Sequence, residues 1–171
     1  MKKILIVEDT EANLLAAKQF FATVSGFEFV FAKNRKEAED LLPSVDGLIT
    51  DRHMPYLETD TMADYVFVER EGELANVLKS HGYILLAETS KLEIPGVMVS
   101  DHGDLMVMKI KDQEVAKEIA QDVEMLSPYS SESYERGFDM NKNYTCEWYN
   151  IPKTDQRAWQ LAWEELEVQL K

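Results

Sequence analysis

At 171 residues, with 45% hydrophobic and 29% charged side chains, the chain is long enough for one ordinary domain with a proper core and marginal for two. Its 32 acidic against 18 basic residues leave a net charge of −14, a field that repels nucleic-acid phosphates and anionic membranes, so neither is an expected partner. Cys146 is the single cysteine, which excludes an internal disulfide and suits a reducing cytosol.

The apolar run that follows Lys2-Lys3 stops at Glu8-Asp9, too soon for the core of a signal peptide, and no later stretch approaches a membrane span. A soluble, cytoplasmic domain is the expectation. Ile4-Leu5-Ile6-Val7, apolar at consecutive positions, predicts a strand buried on both faces, as in a parallel sheet. Glu8-Asp9 stand at its carboxyl end, and Thr10 is placed to cap the next helix. In that helix Leu14, Ala17, Phe20, Phe21 and Val24 recur at three- and four-residue steps and make one apolar stripe, which Ser25-Gly26 ends. Residues 27–31 alternate aromatic and β-branched side chains and predict a second strand. Residues 33–42 predict a short helix stopped by Pro43. A third strand, 47–50, ends abruptly at Asp51 and turns at Met54-Pro55. Strand, helix, strand, helix, strand with short joints indicates a doubly wound α/β domain.

Residues 57–80 break this rhythm. Thr59, Asp60 and Thr61 suit a helix start, yet Tyr65 to Val68 are strand formers, so the segment reads as an insertion. Residues 83–92 predict a helix and 94–99 a fourth strand, with Ser100 at its end and 100–103 as the loop leaving it. Val115, Ile119, Val123 and Leu126 share one face of an amphipathic stretch at 113–126. Residues 127–143, polar and punctuated by Pro128 and Gly137, read as a long loop. Residues 144–151 are the fifth-strand candidate. Pro152-Lys153-Thr154-Asp155 then open a last helix whose stripe of Trp159, Trp163, Leu166 and Leu170 belongs to the core.

All strand carboxyl ends of a parallel sheet lie on one edge, where α/β proteins place their ligands. Glu8 and Asp9 end the first strand there, Asp51 the third and Ser100 the fourth, while Lys153 lies just past the fifth. Three converging carboxylates make an oxygen-ligand site suited to Mg²⁺. The competing reading is that these acids are separate helix caps, favoured by the helix dipole alone. No Gly-rich phosphate loop and no Ser/His/Asp arrangement is present, and His81 and His102 lack metal-ligand spacing with each other or with Cys146.

The run Ile4-Leu5-Ile6-Val7-Glu8-Asp9, then Asp51 followed by Met54-Pro55, then Val97-Met98-Val99-Ser100, resembles the receiver domain of two-component response regulators. The resemblance covers residues 1–56 and, less closely, 81–126. It implies a flavodoxin-like fold: a five-stranded doubly wound parallel sheet of order 2-1-3-4-5 in three α/β/α layers. The whole of 1–171 would be one receiver-like domain with insertions near 57–80 and 127–143. It further implies that Asp51 is the phosphoacceptor, charged by the phosphohistidine of a histidine kinase or phosphotransfer protein. Glu8, Asp9, Asp51 and the backbone carbonyl of His53 would hold Mg²⁺. Ser100 would hydrogen-bond the phosphoryl oxygen, and a lysine would pair with its charge.

The chain departs from the family at that lysine. The family has Lys-Pro after the fifth strand, whereas this sequence has Pro152-Lys153. Lys153 is the choice, with Lys142 and Lys109 as alternatives, and Trp148 or Tyr149 supplies the aromatic of the fifth strand. The side chain of His53 either faces the attacking water, altering the phosphoryl lifetime, or simply faces solvent. Because no output domain follows the last helix, the expectation is a stand-alone receiver that signals to a downstream protein effector by contact. It would be no enzyme beyond its own phosphoryl transfer and autodephosphorylation. Two other readings stand beside it: a phosphate-independent pseudo-receiver, and a Mg²⁺-dependent phosphohydrolase, for which His53 occupies the place of the usual second carboxylate.

Overall fold

Strand β1 (Lys2–Val7) is buried from Ile4 onward, as its unbroken apolar run requires. The structure, a computed structural model, describes residues 1–56, 65–70, 73–78, 81–100, 105–110 and 144–171. Helix α1 (Glu11–Phe21) follows, burying Leu14, Ala17 and Phe21. Thr10 takes the N-cap position without a side-chain cap, and its own amide donates to Glu8 Oε1 at 2.9 Å. Gly26, at φ 88°, turns the chain into β2 (Phe27–Ala32), a conformation that a side chain would strain. Helix α2 (Arg35–Leu41) is capped by Asn34, whose side chain accepts from the Glu37 amide, and a 3-10 turn over Leu42–Ser44 leads to the fully buried β3 (Gly47–Asp51).

Within the insertion expected at 57–80, β4 (Tyr65–Arg70) and β5 (Glu73–Leu78) pair antiparallel as a separate two-stranded sheet. Helix α3 (His81–Lys91) and β6 (Gly96–Ser100) come next, then β7 (Leu105–Ile110), β8 (Tyr144–Tyr149) and α4 (Gln156–Gln169). The amphipathic stretch 113–126, the polar loop 127–143, Lys142 and His102 lie outside the described residues.

The main sheet corrects the expected one. It has six strands in the order β2-β1-β3-β6-β7-β8, and it is mixed. β2, β1, β3 and β6 are parallel neighbours, but β7 pairs antiparallel with both β6 and β8. The reason is local. Only four residues, Asp101 to Asp104 with a glycine among them, separate β6 from β7, too few for a parallel crossover and right for a hairpin.

The three expected layers are present. One face carries α1 and α4, where Ile4, Ile6, Ile49, Val97 and Val99 pack against Phe21, Trp159, Trp163 and Leu166. The other carries α2 and α3, where Leu5, Val7 and Leu48 meet Ala38, Met54 and Leu85. Each fully buried aliphatic side chain contributes roughly 1.5–3 kcal/mol, so the alternation along β1 alone ties both helical layers to one strand. Among the described residues, no helix is long and apolar enough to cross a membrane.

Candidate functional site

Val7 of β1 pairs in register with Thr50 of β3, so Glu8 and Asp51 are the next residues along two adjacent parallel strands. Side chains alternate along a strand. Ile6 and Ile49 face the α1–α4 layer, and Glu8 and Asp51, two residues on, therefore project to that same side at the edge. Asp9 completes the group. Each of these three acids offers one carboxylate oxygen, and the three oxygens lie within 4.8 Å of one another. Glu8 and Asp51 are buried, and Asp9 is half-buried.

Lys153 reaches this cluster. Its Nζ is 2.6 Å from Asp51 Oδ1 and donates to Glu8 Oε2 at 2.9 Å, and the residue is only 1% exposed. Lys153 stands in the turn between β8 and α4, which is closed by hydrogen bonds from the Ile151 amide to Tyr149 O and from the Asp155 amide to Pro152 O. The fully buried indole of Trp159 donates its Nε1–H to the Lys153 carbonyl at 2.9 Å, so a core residue fixes the lysine's backbone. Glu8 is held from its other side: Oε1 accepts from the Thr10 amide at 2.9 Å and from Asn13 Nδ2 at 3.3 Å. Asp51 Oδ1 also accepts from the Arg52 amide at 2.6 Å.

Three carboxylates face a single ammonium, and the imbalance is visible in the acidity of Asp51 and Asp9. Burial pushes the Asp51 carboxyl up to about 7; Lys153 pulls it down, while Glu8 and Asp9 push it further up. Burial, then the negative charge of Glu8, raises Asp9 to about 6, with Lys153 opposing. Such a pocket is under-compensated, and oxygen donors with surplus negative charge are the donor set of a hard divalent cation. Glu8, Asp9 and Asp51 could hold a metal ion, the one such group among the described residues. The cluster is a poor stabiliser by itself, because desolvating buried charges rivals their mutual attraction.

The other residues expected at the site are placed as follows. Ser100 is buried at the end of β6, one residue beyond Val99, the register partner of Asp51. His53 is half-exposed in the turn after β3. That turn is pinned to α2, since the Arg35 and Lys36 amides donate to the carbonyls of Pro55 and Tyr56 at 3.0 and 2.9 Å. Lys109 pairs with Glu165 of α4 and sits opposite Val97, back from the edge. Of the two aromatic candidates, Tyr149 packs against the α1–α4 core and Trp148 is exposed. Two contributors escape a reading of the sequence. Asn13 is a buried polar residue in an otherwise apolar helix face, which is the signal that could have found it. Trp159 is read only as core, and it both fills the core and clamps Lys153.

Fold and site together define a three-layer α/β protein with an acidic, cation-competent pocket at the carboxyl edge of its parallel strands. No family model matches the chain, and no curated protein matches it.

Proposed function

We propose that the chain is a receiver-like phosphoacceptor, in which Asp51 takes a phosphoryl group in a Mg²⁺-assisted pocket and another protein reads the modified state by contact. The observation that carries this reading is the single ammonium of Lys153 shared between Asp51 and Glu8, beside Asp9. In the reaction an ionised Asp51 oxygen attacks the phosphorus of a phosphohistidine on a histidine kinase or phosphotransfer protein. The O–P bond forms as the P–N bond breaks, and the imidazole nitrogen leaves with the bonding pair and takes up a proton. Lys153 meets the charge arriving on the phosphoryl oxygens, and the Ser100 hydroxyl donates to one of them. Glu8, Asp9, Asp51 and the His53 carbonyl would hold Mg²⁺, which would supply positive charge to neutralise phosphoryl charge that the acidic pocket otherwise repels.

Incubation with Mg²⁺ and acetyl phosphate or beryllofluoride tests the proposal by intact mass and Trp fluorescence. The expected result is a stable mass gain with acetyl phosphate, absent in Asp51→Asn, and a fluorescence change with either reagent. Failure to bind Mg²⁺ or the mimic at millimolar concentration overturns it in favour of a pseudo-receiver. One observation favours that second reading: Asp51 is only 5% exposed, and its Oδ1 is already engaged by Lys153 Nζ and the Arg52 amide. Multiple turnover of a phosphoester would indicate a phosphohydrolase instead.

A further inference from the structure

The first turn of α3 packs directly on the Asp51-Arg52 dipeptide. The Gly82 amide donates to the Arg52 carbonyl at 3.0 Å, and the Arg52 guanidinium lies over the Tyr83 ring at 5.3 Å from its centroid. A Cβ placed at Gly82 would lie 2.1 Å from the Asp51 carbonyl oxygen and 2.9 Å from both the Asp51 carbonyl carbon and Arg52 Cα. These are backbone atoms, so no side-chain rotation relieves the clash. Either α3 moves out or the Asp51 main chain moves. That main chain is gripped on its far side as well, where the Arg52 amide donates to Val99 O at 3.0 Å.

We propose that Gly82 is a positioning residue for Asp51: its missing side chain lets the first turn of α3 set the Asp51-Arg52 main chain, and so the place of the carboxylate beside Glu8, Asp9 and Lys153. The proposal rests on the reading of Asp51 as acceptor. In sequence, β4 and β5 lie between the turn after β3 and the first turn of α3.

Two glycine variants separate positioning from packing. Gly82→Ala pushes on the backbone of Asp51. Gly96→Ala, at the opposite end of β6, pushes on α3 through Leu86 and Thr89 side-chain atoms at 2.7 and 2.8 Å. Both are expected to lose stability. Only Gly82→Ala is expected to weaken Mg²⁺ and beryllofluoride binding, by about tenfold or more, since groups held for one geometry lose their effect steeply when displaced by about 1 Å. Titrations at a temperature where circular dichroism shows both variants folded give the comparison. Unchanged affinity in Gly82→Ala, or equal loss in both variants, overturns the proposal.

Should Gly82→Ala not fold, amide exchange in the unaltered protein decides. The Gly82 N–H is expected to exchange more slowly once Mg²⁺ and beryllofluoride are bound, and unchanged exchange despite binding overturns the positioning role alone. Absence of any binding by the unaltered protein overturns the acceptor reading, and this inference with it.

Discussion

The ammonium of Lys153 stands 2.6 Å from Asp51 Oδ1 and 2.9 Å from Glu8 Oε2, with the lysine almost wholly out of solvent. One cation therefore holds two buried carboxylates. Removing it strands both, and breaking a buried pair from one side costs about 3–5 kcal/mol. Lys153→Ala is expected to lose about 3 kcal/mol in urea unfolding with chelator near pH 8, and distinctly less near pH 5, where Asp51 can neutralise itself by protonation. An equal loss at both values would count against a charge-based role.

The pH dependence of the metal-free protein follows from the two raised carboxyls. Asp9 at about 6 and Asp51 at about 7 both lie above their ordinary value of 3.8. A carboxyl whose folded pKa exceeds its unfolded one binds its proton more tightly when folded. Its contribution is full below the unfolded pKa and is lost as pH climbs through the folded one. These two groups therefore lower stability progressively between about pH 4 and pH 7, and Asp51→Asn flattens that decline. Urea midpoints collected across this interval in chelator, for both proteins, provide the check; parallel curves would contradict the assignment.

Cation binding runs the other way. A divalent ion must displace protons from the same carboxylates, so Mg²⁺ affinity is expected to rise through this interval and its binding to release protons. At a free concentration 100 times its Kd, a ligand stabilises the fold by roughly 2.7 kcal/mol, so the thermal shift on adding Mg²⁺ should be large near pH 8 and small near pH 5. Calorimetry in two buffers of different ionisation heat would count the protons released.

Trp159 links core and pocket through its hydrogen bond to the Lys153 carbonyl. Trp159→Phe keeps most of the apolar packing and leaves that buried oxygen without its donor, a loss of about 1–3 kcal/mol. The fluorescence response to beryllofluoride should vanish in this variant while the mass gain with acetyl phosphate persists. A surviving response would assign the signal to Trp148 or Trp163.

Much of this architecture is legible in the sequence because the relevant signals are local. Apolar runs that stop at Glu8 and Asp51 mark strand ends, and the spacing of Trp159, Trp163 and Leu166 marks a buried helix face. β7 carries an apolar run of the same kind, Leu105 to Met108, but such a run does not encode the direction in which the strand lies. Only the four residues that separate it from β6 bear on its antiparallel pairing. Thr10 shows an outcome the sequence does not rank: its hydroxyl donates to Asp9 Oδ1 at 3.4 Å, and no side-chain cap bond is formed. The reach of Lys153 was open for a related reason. It depends on the path of a turn and on an indole six residues away, neither of which is a property of the lysine.

Strand β7 runs against β6, and β8 runs against β7, so two reversals restore the original heading. The chain emerges from β8 at the same rim as it does from β1 and β3, although the sheet is one strand, about 4.8 Å, wider than a direct β6–β8 pairing would make it. The turn that follows β8 spans the difference and delivers Lys153 to Asp51 all the same. What the pocket requires of the strand that supplies its cation is therefore polarity; adjacency is negotiable, and a widened sheet can keep an unchanged charge at its rim.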